Sequence, residues 1–551
     1  MIPACLPKKS LLLRRNRCKG VKDRVIKDSW LYWAGVLLLI PALLINLGLL
    51  AFIDDEGIRS LVAMEMRFSG DYITPTMHGG YYYNKPPLYN WFLLVFFTIF
   101  GRFDEFVARF PTVICLLGYA VTIFYFFKKH YSTKVAFLNA FFLITCGRML
   151  FWDSMLGLID TCFSWVIFTL FMWVYHHFRS EKWYTLFAGA YFLGAIAFLL
   201  KGLPAVVFLG FTLLAWFIYK RSFKKLFSLQ HILGGLIFIL IVGGYYLAYY
   251  FKNPDIERVF ATLFSESSRR TITNYGIGDT ILHIFSFPFE MIYHFLPWTL
   301  LVIYFIRRDI KKLILQDEFI TYNLLIFLAN IILYWTSPQV YPRYLLMMAP
   351  LIFSSYVYLH QIHRQENTWQ YRFLSKLFLV VCILIALGSL ATFFLDRPLD
   401  IPYRTLKGVA LFLGLGSLAY LYYRQVEQRM VILVLFLVVF RIGFDLFVLP
   451  DRNQNDYGDE CRISAIETGD SLSKESFFVY GITPYQAATS FYMTRAYGEI
   501  IRQKIGDFRA QDYYLIDPRF YPELPYREIK RVKVRHGDMK YYVIGQLPIN
   551  Q

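Results

Sequence analysis

Residues 53–101 read IDDEGIRSLVAMEMRFSGDYITPTMHGGYYYNKPPLYNWFLLVFFTIFG. The stretch follows a first apolar run that starts at Leu31, and it closes on a second, Pro86–Gly101. That second run opens on two prolines and is barely long enough for the ~30 Å of hydrocarbon in a bilayer. Whether it spans decides the side of every later loop. If it does, the basic loop at 128–134 falls outside, and so do most basic loops after it. If it lies along the outer interface, the clusters at 128–134, 176–183, 219–225, 307–312, 360–373 and 423–429 all face the cytoplasm, where Lys and Arg collect. The interfacial reading is adopted. It leaves thirteen apolar spans of about 17 to 22 residues between Leu31 and Leu449.

Composition agrees. Of 551 residues, 57% are hydrophobic and 17% charged, too apolar for a soluble enzyme of this size. The net charge of +18 sits in short clusters such as KRSFKK at 220–225 and RRDIKK at 307–312, the pattern of membrane topology rather than of nucleic-acid binding. Residues 1–29 read as a cytoplasmic basic tail and 30–450 as the transmembrane domain, with its outer loop at 53–108. From 451 to 551 the sequence is that of a small soluble α/β domain. Strands are predicted at 476–480, 512–517, 529–534 and 540–545, and a helix near 484–500. An odd number of spans places this domain outside. The fold class is therefore mainly α and polytopic, with a small C-terminal α/β domain. The cysteines show neither a disulfide framework nor a paired metal motif.

The loops that meet outside carry the chemistry-bearing residues. Asp55 and Glu56 follow the first span and open a predicted interfacial helix over Gly57–Phe68, closed by the turn Ser69-Gly70-Asp71. A carboxylate there can act as general base on an acceptor hydroxyl or orient it, and it can equally serve as a helix cap. Tyr81, Tyr82 and Tyr83 lead to Lys85, which the following prolines hold extended. An ammonium presented in this way suits a departing phosphate, while an interfacial aromatic belt with a snorkelling lysine has the same composition. Glu266, Arg269 and Arg270 stand together in the 251–287 loop, and arginine forks match phosphate oxygens. Arg441 and Asp445, four apart in the last span, read as an intrahelical pair that limits the cost of charge in lipid.

DEGIRS at 55–60, SGDYITP at 69–75, YYNKPPL at 82–88, EFVARFP at 105–111 and LKGLPA at 200–205 resemble the bacterial C-type (GT-C) glycosyltransferases. Within them the chain is similar to the aminoarabinose (lipid A) transferases and their relatives among the protein O-mannosyltransferases. The resemblance covers roughly residues 30–350. It implies that Asp55 is the catalytic or acceptor-orienting carboxylate, with Glu56 its neighbour in the motif, and that Lys85 and Tyr82 belong to the polyprenyl-phosphate site. Arg109 would support the loop. A second acid would come from Asp160 or, less well spaced, Asp153. Arg270, with Arg269 beside it, and Tyr344, with Arg343 beside it, would approach the donor phosphate. Two departures stand out. Ile58 takes the place of an arginine, with Arg59 next to it, and Asn84 that of a glutamate often found before the lysine.

The expectation is a membrane glycosyltransferase that moves a sugar from a polyprenyl-phosphate donor to lipid A, a glycan or a protein on the periplasmic face of the bacterial inner membrane. A lipid or sugar transporter and a non-catalytic binder of lipid-linked sugar are the alternatives. No Rossmann-type glycine loop or βαβ alternation appears, which points to a lipid-linked donor rather than a nucleotide sugar. No cofactor is called for, and a divalent metal finds no ligand spacing: His78, His283 and His294 are scattered.

Overall fold

The computed structural model describes residues 29–53, 55–268, 272–394, 401–483, 485–536 and 538–548. The expectations for the basic tail and for Arg269 and Arg270 lie outside the described residues. Eight of the described helices are long and apolar enough to cross a membrane, from Glu105–Lys128 to Val426–Asn455. Shorter apolar helices include Trp30–Leu44, which precedes these, and Thr133–Ile144 and Pro204–Tyr219, which stand between them. The chain is a mainly α-helical, polytopic membrane protein. Length and composition alone do not take the count to thirteen, which requires shorter and 3-10 segments such as Trp298–Phe305 to be counted as crossings.

The double proline acts as its chemistry demands. The helix Leu88–Phe100 starts directly after Pro87 and ends at Gly101, whose φ of 66° is left-handed. Its 13 residues rise only about 20 Å, short of a bilayer's apolar core. Tyr89, Leu93 and Phe97 face inward from it.

Contacts between loops sort the bundle into two ends. At one end, Lys134 and Arg364 both reach Glu427, Arg307 pairs with Glu366 at 3.1 Å, and Lys225 lies 5.0 Å over the Trp183 ring. Tyr131 donates to Asp317, and Lys220 pairs with Glu318. All six basic clusters take part in this set. At the other end, Glu56 meets Gly157, Asp160 meets Lys201 and Arg343, Lys85 meets Glu266, and Arg462 meets Glu105.

The last apolar helix runs on past the expected boundary at 450, through Leu449–Asn455, before the soluble domain begins. Its sheet has five strands in the order Arg502–Lys504, Phe477–Tyr480, Tyr513–Ile516, Asp538–Gln546, Arg527–His536. The first three are parallel and the last two join antiparallel. Alternation explains the strand predicted at 529–534: Val532 and Val534 are buried while Lys533 between them is not. Arg502–Lys504 escaped the sequence reading because three polar and basic residues carry no apolar alternation. The helix Ala487–Tyr497 lies within the predicted 484–500. It packs on the first outer loop.

Candidate active site

The first apolar helix ends at Leu44 and is followed by turns, after which the loop helix Glu56–Ser69 begins, and Gly70, at φ 70°, closes it. Asp55 is exposed at its start, and its side chain does not cap the helix. The carboxylate is therefore not spent on holding the helix end. Glu56 is the opposite case. It is fully buried and pairs with Arg109, Nε to Oε1 at 2.8 Å and Nη2 to Oε2 at 3.0 Å. It also accepts from the backbone N–H of Ile53 at 2.9 Å and of Gly157 at 2.6 Å. Arg109 spends its remaining N–H groups on the carbonyls of Leu47, Leu50 and Ala51. A buried ion pair is tolerated when further hydrogen bonds satisfy both partners, as here. Glu56 is thus a structural acid that pins the loop to the 153–160 turn. Every lone pair Glu56 presents faces a donor of the fold, so its carboxylate is committed where that of Asp55 is not.

Cations gather beside Asp55. Arg59, one turn along the loop helix, donates from Nη2 to the Tyr82 hydroxyl at 2.9 Å and lies 5.5 Å over that ring. It is buried, and its Nη1 has no hydrogen-bond partner among the described residues. Lys85 feels the charges of Arg59, Glu266, Lys201 and Asp55. Burial first, and then Arg59, push its ammonium down to about 8. A cation destabilised in this way regains stability when an anion arrives, which is the electrostatic character of an anion site.

Asp160 binds this cluster directly, and Asp153 stands at its edge, within reach of the charges of Asp160 and Arg343. Asp160, in the first turn of Ile159–Arg179, pairs with Lys201 and has Arg343 Nε at 3.4 Å. Lys201 lies 4.0 Å over the Tyr344 ring, and Arg343 lies 4.4 Å over Tyr341. Asp153 is held instead by Arg148 at 2.6 and 3.0 Å, five residues away on the same turn. That local fork engages both of its carboxylate oxygens. Of the residues expected here, Asp55, Lys85, Tyr82, Asp160, Arg343 and Tyr344 come together. Lys201 and Arg59 were not singled out as site residues. Lys201 stood in plain view in LKGLPA, but nothing local ties it to Asp160.

A cavity of about 570 Å³ opens beside Ile53, Arg109 and Leu156. Apolar Leu47, Leu50 and Leu449 line it together with Trp152, Arg452 and Arg535.

Residues 84–246 match the family described as dolichyl-phosphate-mannose-protein mannosyltransferase. The crystal structure of ArnT from Cupriavidus metallidurans bound to undecaprenyl phosphate superposes with a TM-score of 0.69, covering 94% of this chain and 98% of that one at 16% identity. The chain has the ArnT fold. Its apo state gives a TM-score of 0.68 at 15% identity. Over 224 residues, 39% of each chain, the sequence is 27% identical to the undecaprenyl phosphate-alpha-4-amino-4-deoxy-L-arabinose arabinosyl transferase of Edwardsiella ictaluri. An uncharacterised protein of Aquifex aeolicus is 23% identical over 402 residues, 70% of this chain and 77% of that protein. The chain thus resembles, in sequence and in ArnT-like fold, the membrane glycosyltransferases that use a polyprenyl-phosphate sugar donor.

Proposed function

We propose that this protein transfers a sugar from a polyprenyl-phosphate donor to an acceptor hydroxyl at the outer face of the membrane, by a single inverting displacement. The observation that carries this reading is the convergence on Lys85 of Arg59 and Asp55 from one side and of Lys201 and Asp160, with Arg343, from the other, at one end of an apolar bundle. In the step, the acceptor oxygen forms a bond to the anomeric carbon while the bond from that carbon to the phosphate oxygen breaks. The electron pair leaves on the phosphate. Lys85 and Arg59, fixed before the reaction, stabilise that charge without reorganising, a contribution of the oxyanion-hole kind. Asp55 takes the acceptor's proton. Asp160 anchors both Lys201 and Arg343 and leaves the trio one net positive charge for the donor phosphate, with Tyr344 against Lys201.

A hydroxyl acceptor is preferred because Asn84 departs from the pattern of the lipid A enzymes. The 570 Å³ cavity, with leucines and both arginine and aspartate side chains in its lining, suits an acceptor with an amphipathic headgroup. The six basic loops that meet at one end favour a cytoplasmic N-terminus and a periplasmic C-terminal domain. Purified protein in lipid nanodiscs, given polyprenyl-phosphate sugars and envelope extracts as acceptors, should release polyprenyl phosphate. Mass spectrometry of lipid A, glycans and envelope proteins with and without the gene should identify the acceptor. Absence of release by the wild type with every donor would sink the reading.

A further inference from the structure

The segment that carries Asp55 is held from both flanks by one helix of the C-terminal domain, Ala487–Tyr497. Upstream, the Tyr492 hydroxyl accepts from the Phe52 amide at 2.8 Å and donates to Glu105 Oε1 at 2.9 Å. The Tyr492 and Phe52 rings stack at 5.6 Å with 15° between their planes. Glu105 is steadied in turn by Arg462 at 2.8 Å. Downstream, Gly57 lies so close to the start of this helix that a Cβ there would meet the Ala488 nitrogen at 2.5 Å and its Cα at 2.8 Å. Both neighbours are backbone, so no side chain fits without moving the helix or the loop. Asp55 and Glu56 are the described residues between Ile53 and Gly57, and Glu56 is fixed from below by Arg109.

A second hold lies further along the loop. His78 and Gly79, at φ 54° and 72°, turn the short hairpin of Thr76–Met77 and Gly80–Tyr81. Glu65 of the loop helix accepts from the His78 amide at 2.6 Å and the Gly79 amide at 3.1 Å. The His78 ring is buried between the Ile501 carbonyl at 2.7 Å and the Ser490 hydroxyl at 2.9 Å, and its own carbonyl accepts from the Gln503 amide at 2.9 Å. A carbonyl can only accept, so Nδ1 carries the proton and Nε2 accepts from Ser490. Burial pushes the ring's pKa down to about 4, so it stays neutral in this place.

We propose that the C-terminal domain sets the position of Asp55, with Tyr492 as a positioning residue that acts through the Phe52 amide and Gly57 as the seat that admits its helix. The proposal rests on the transferase reading given above. A domain that merely covered the loop would touch it through adaptable side chains at a rim. Here it binds a buried backbone amide and occupies the space of a missing Cβ, contacts that leave the segment little freedom. Displacement of a catalytic group by about 1 Å can cost a hundredfold in rate.

The test is Tyr492→Phe in the full-length protein, which removes one oxygen and keeps the ring. The expected result is a fall in kcat of about ten- to a hundredfold with donor KM nearly unchanged, since the donor's cations are untouched. Hydrogen exchange in the Phe52–Gly57 segment should quicken in the same variant. Gly57→Ala should lower kcat likewise. Tyr497→Phe is the control, for its hydroxyl donates to the Glu475 carbonyl at the other end of the same helix, away from the loop. It should behave as wild type. Wild-type kcat in Tyr492→Phe, or unchanged exchange at 52–57, would overturn the proposal. If the wild type transfers no sugar at all, the transferase reading fails, and exchange at 52–57 alone then decides the coupling.

Discussion

The Lys85 ammonium and the Glu266 carboxylate stand 3.9 Å apart, far looser than the 2.6 Å of Arg148 and Asp153 or the 2.8 Å of Arg109 and Glu56. Both of the looser partners are partly exposed, at 22% and 26% of their side chains, so water screens the attraction. Glu266 thus occupies ground that an incoming phosphate would claim. Glu266→Gln should lower the donor KM about two- to fivefold, the effect of removing a partly screened competing charge worth up to about 1 kcal/mol. Initial rates against donor concentration will show it, and an increased KM would mean that Glu266 assists binding.

The charge on Lys85 should appear in the pH profile. Its pKa, about 8 in the absence of donor, means that the ammonium is present below that pH and lost above it. Because kcat/KM reports the free enzyme, it should fall about tenfold per pH unit above this point. Arginine keeps its charge throughout, so Lys85→Arg should flatten that limb even at reduced activity. Lys85→Ala should abolish transfer. A limb that survives in Lys85→Arg would assign it to another group.

Arg59→Met removes a buried cation whose Nη1 lacks a partner among the described residues, and should reduce kcat/KM for the donor about tenfold to a hundredfold, in the range of one lost charge-stabilising donor. Arg59→Lys should recover part of this, because the charge remains while the bond to Tyr82 weakens. Equal rates for all three proteins would confine Arg59 to packing.

Asp55→Asn keeps shape and hydrogen bonding but cannot accept a proton. With a hydroxyl acceptor the loss should be at least about a hundredfold, the contribution of a removed general base. With an acceptor that is already an ionised phosphate it should be much smaller, so the variant also separates the two acceptor classes.

Arg109→Leu should lower stability by about 3–5 kcal/mol, because it leaves the buried Glu56 charge without its partner. The double variant Glu56→Leu with Arg109→Leu should cost less than the two single changes added together. Thermal unfolding in detergent gives the comparison, and strict additivity would show the two to be independent.

A cysteine introduced at the exposed Lys474 should react with an impermeant reagent added outside intact cells, and one at the exposed Lys129 should not. Labelling at 129 would invert the proposed orientation.

The sequence by itself determined what short-range physics controls. Period and length marked the apolar helices and the alternating strand around Val532 and Val534. The double proline ended one segment and began the short helix at Leu88, and the basic loops fell into one set. Motif spacing brought Asp55 and Lys85 forward. Tertiary structure decided what depends on residues far apart in the chain. Glu56 and Asp55 are neighbours of the same chemistry, yet one is sealed by Arg109 and the Gly157 amide while the other faces solvent. Asp153 and Asp160 were separable only once Arg148 was seen to hold the first and Lys201 and Arg343 the second. The bond from the Phe52 amide to Tyr492 joins residues 440 positions apart. Helical and strand periods act over a few residues and leave a mark in any window. Contacts between distant loops leave none, because which of many cations meets a given carboxylate is set by the packing of whole helices.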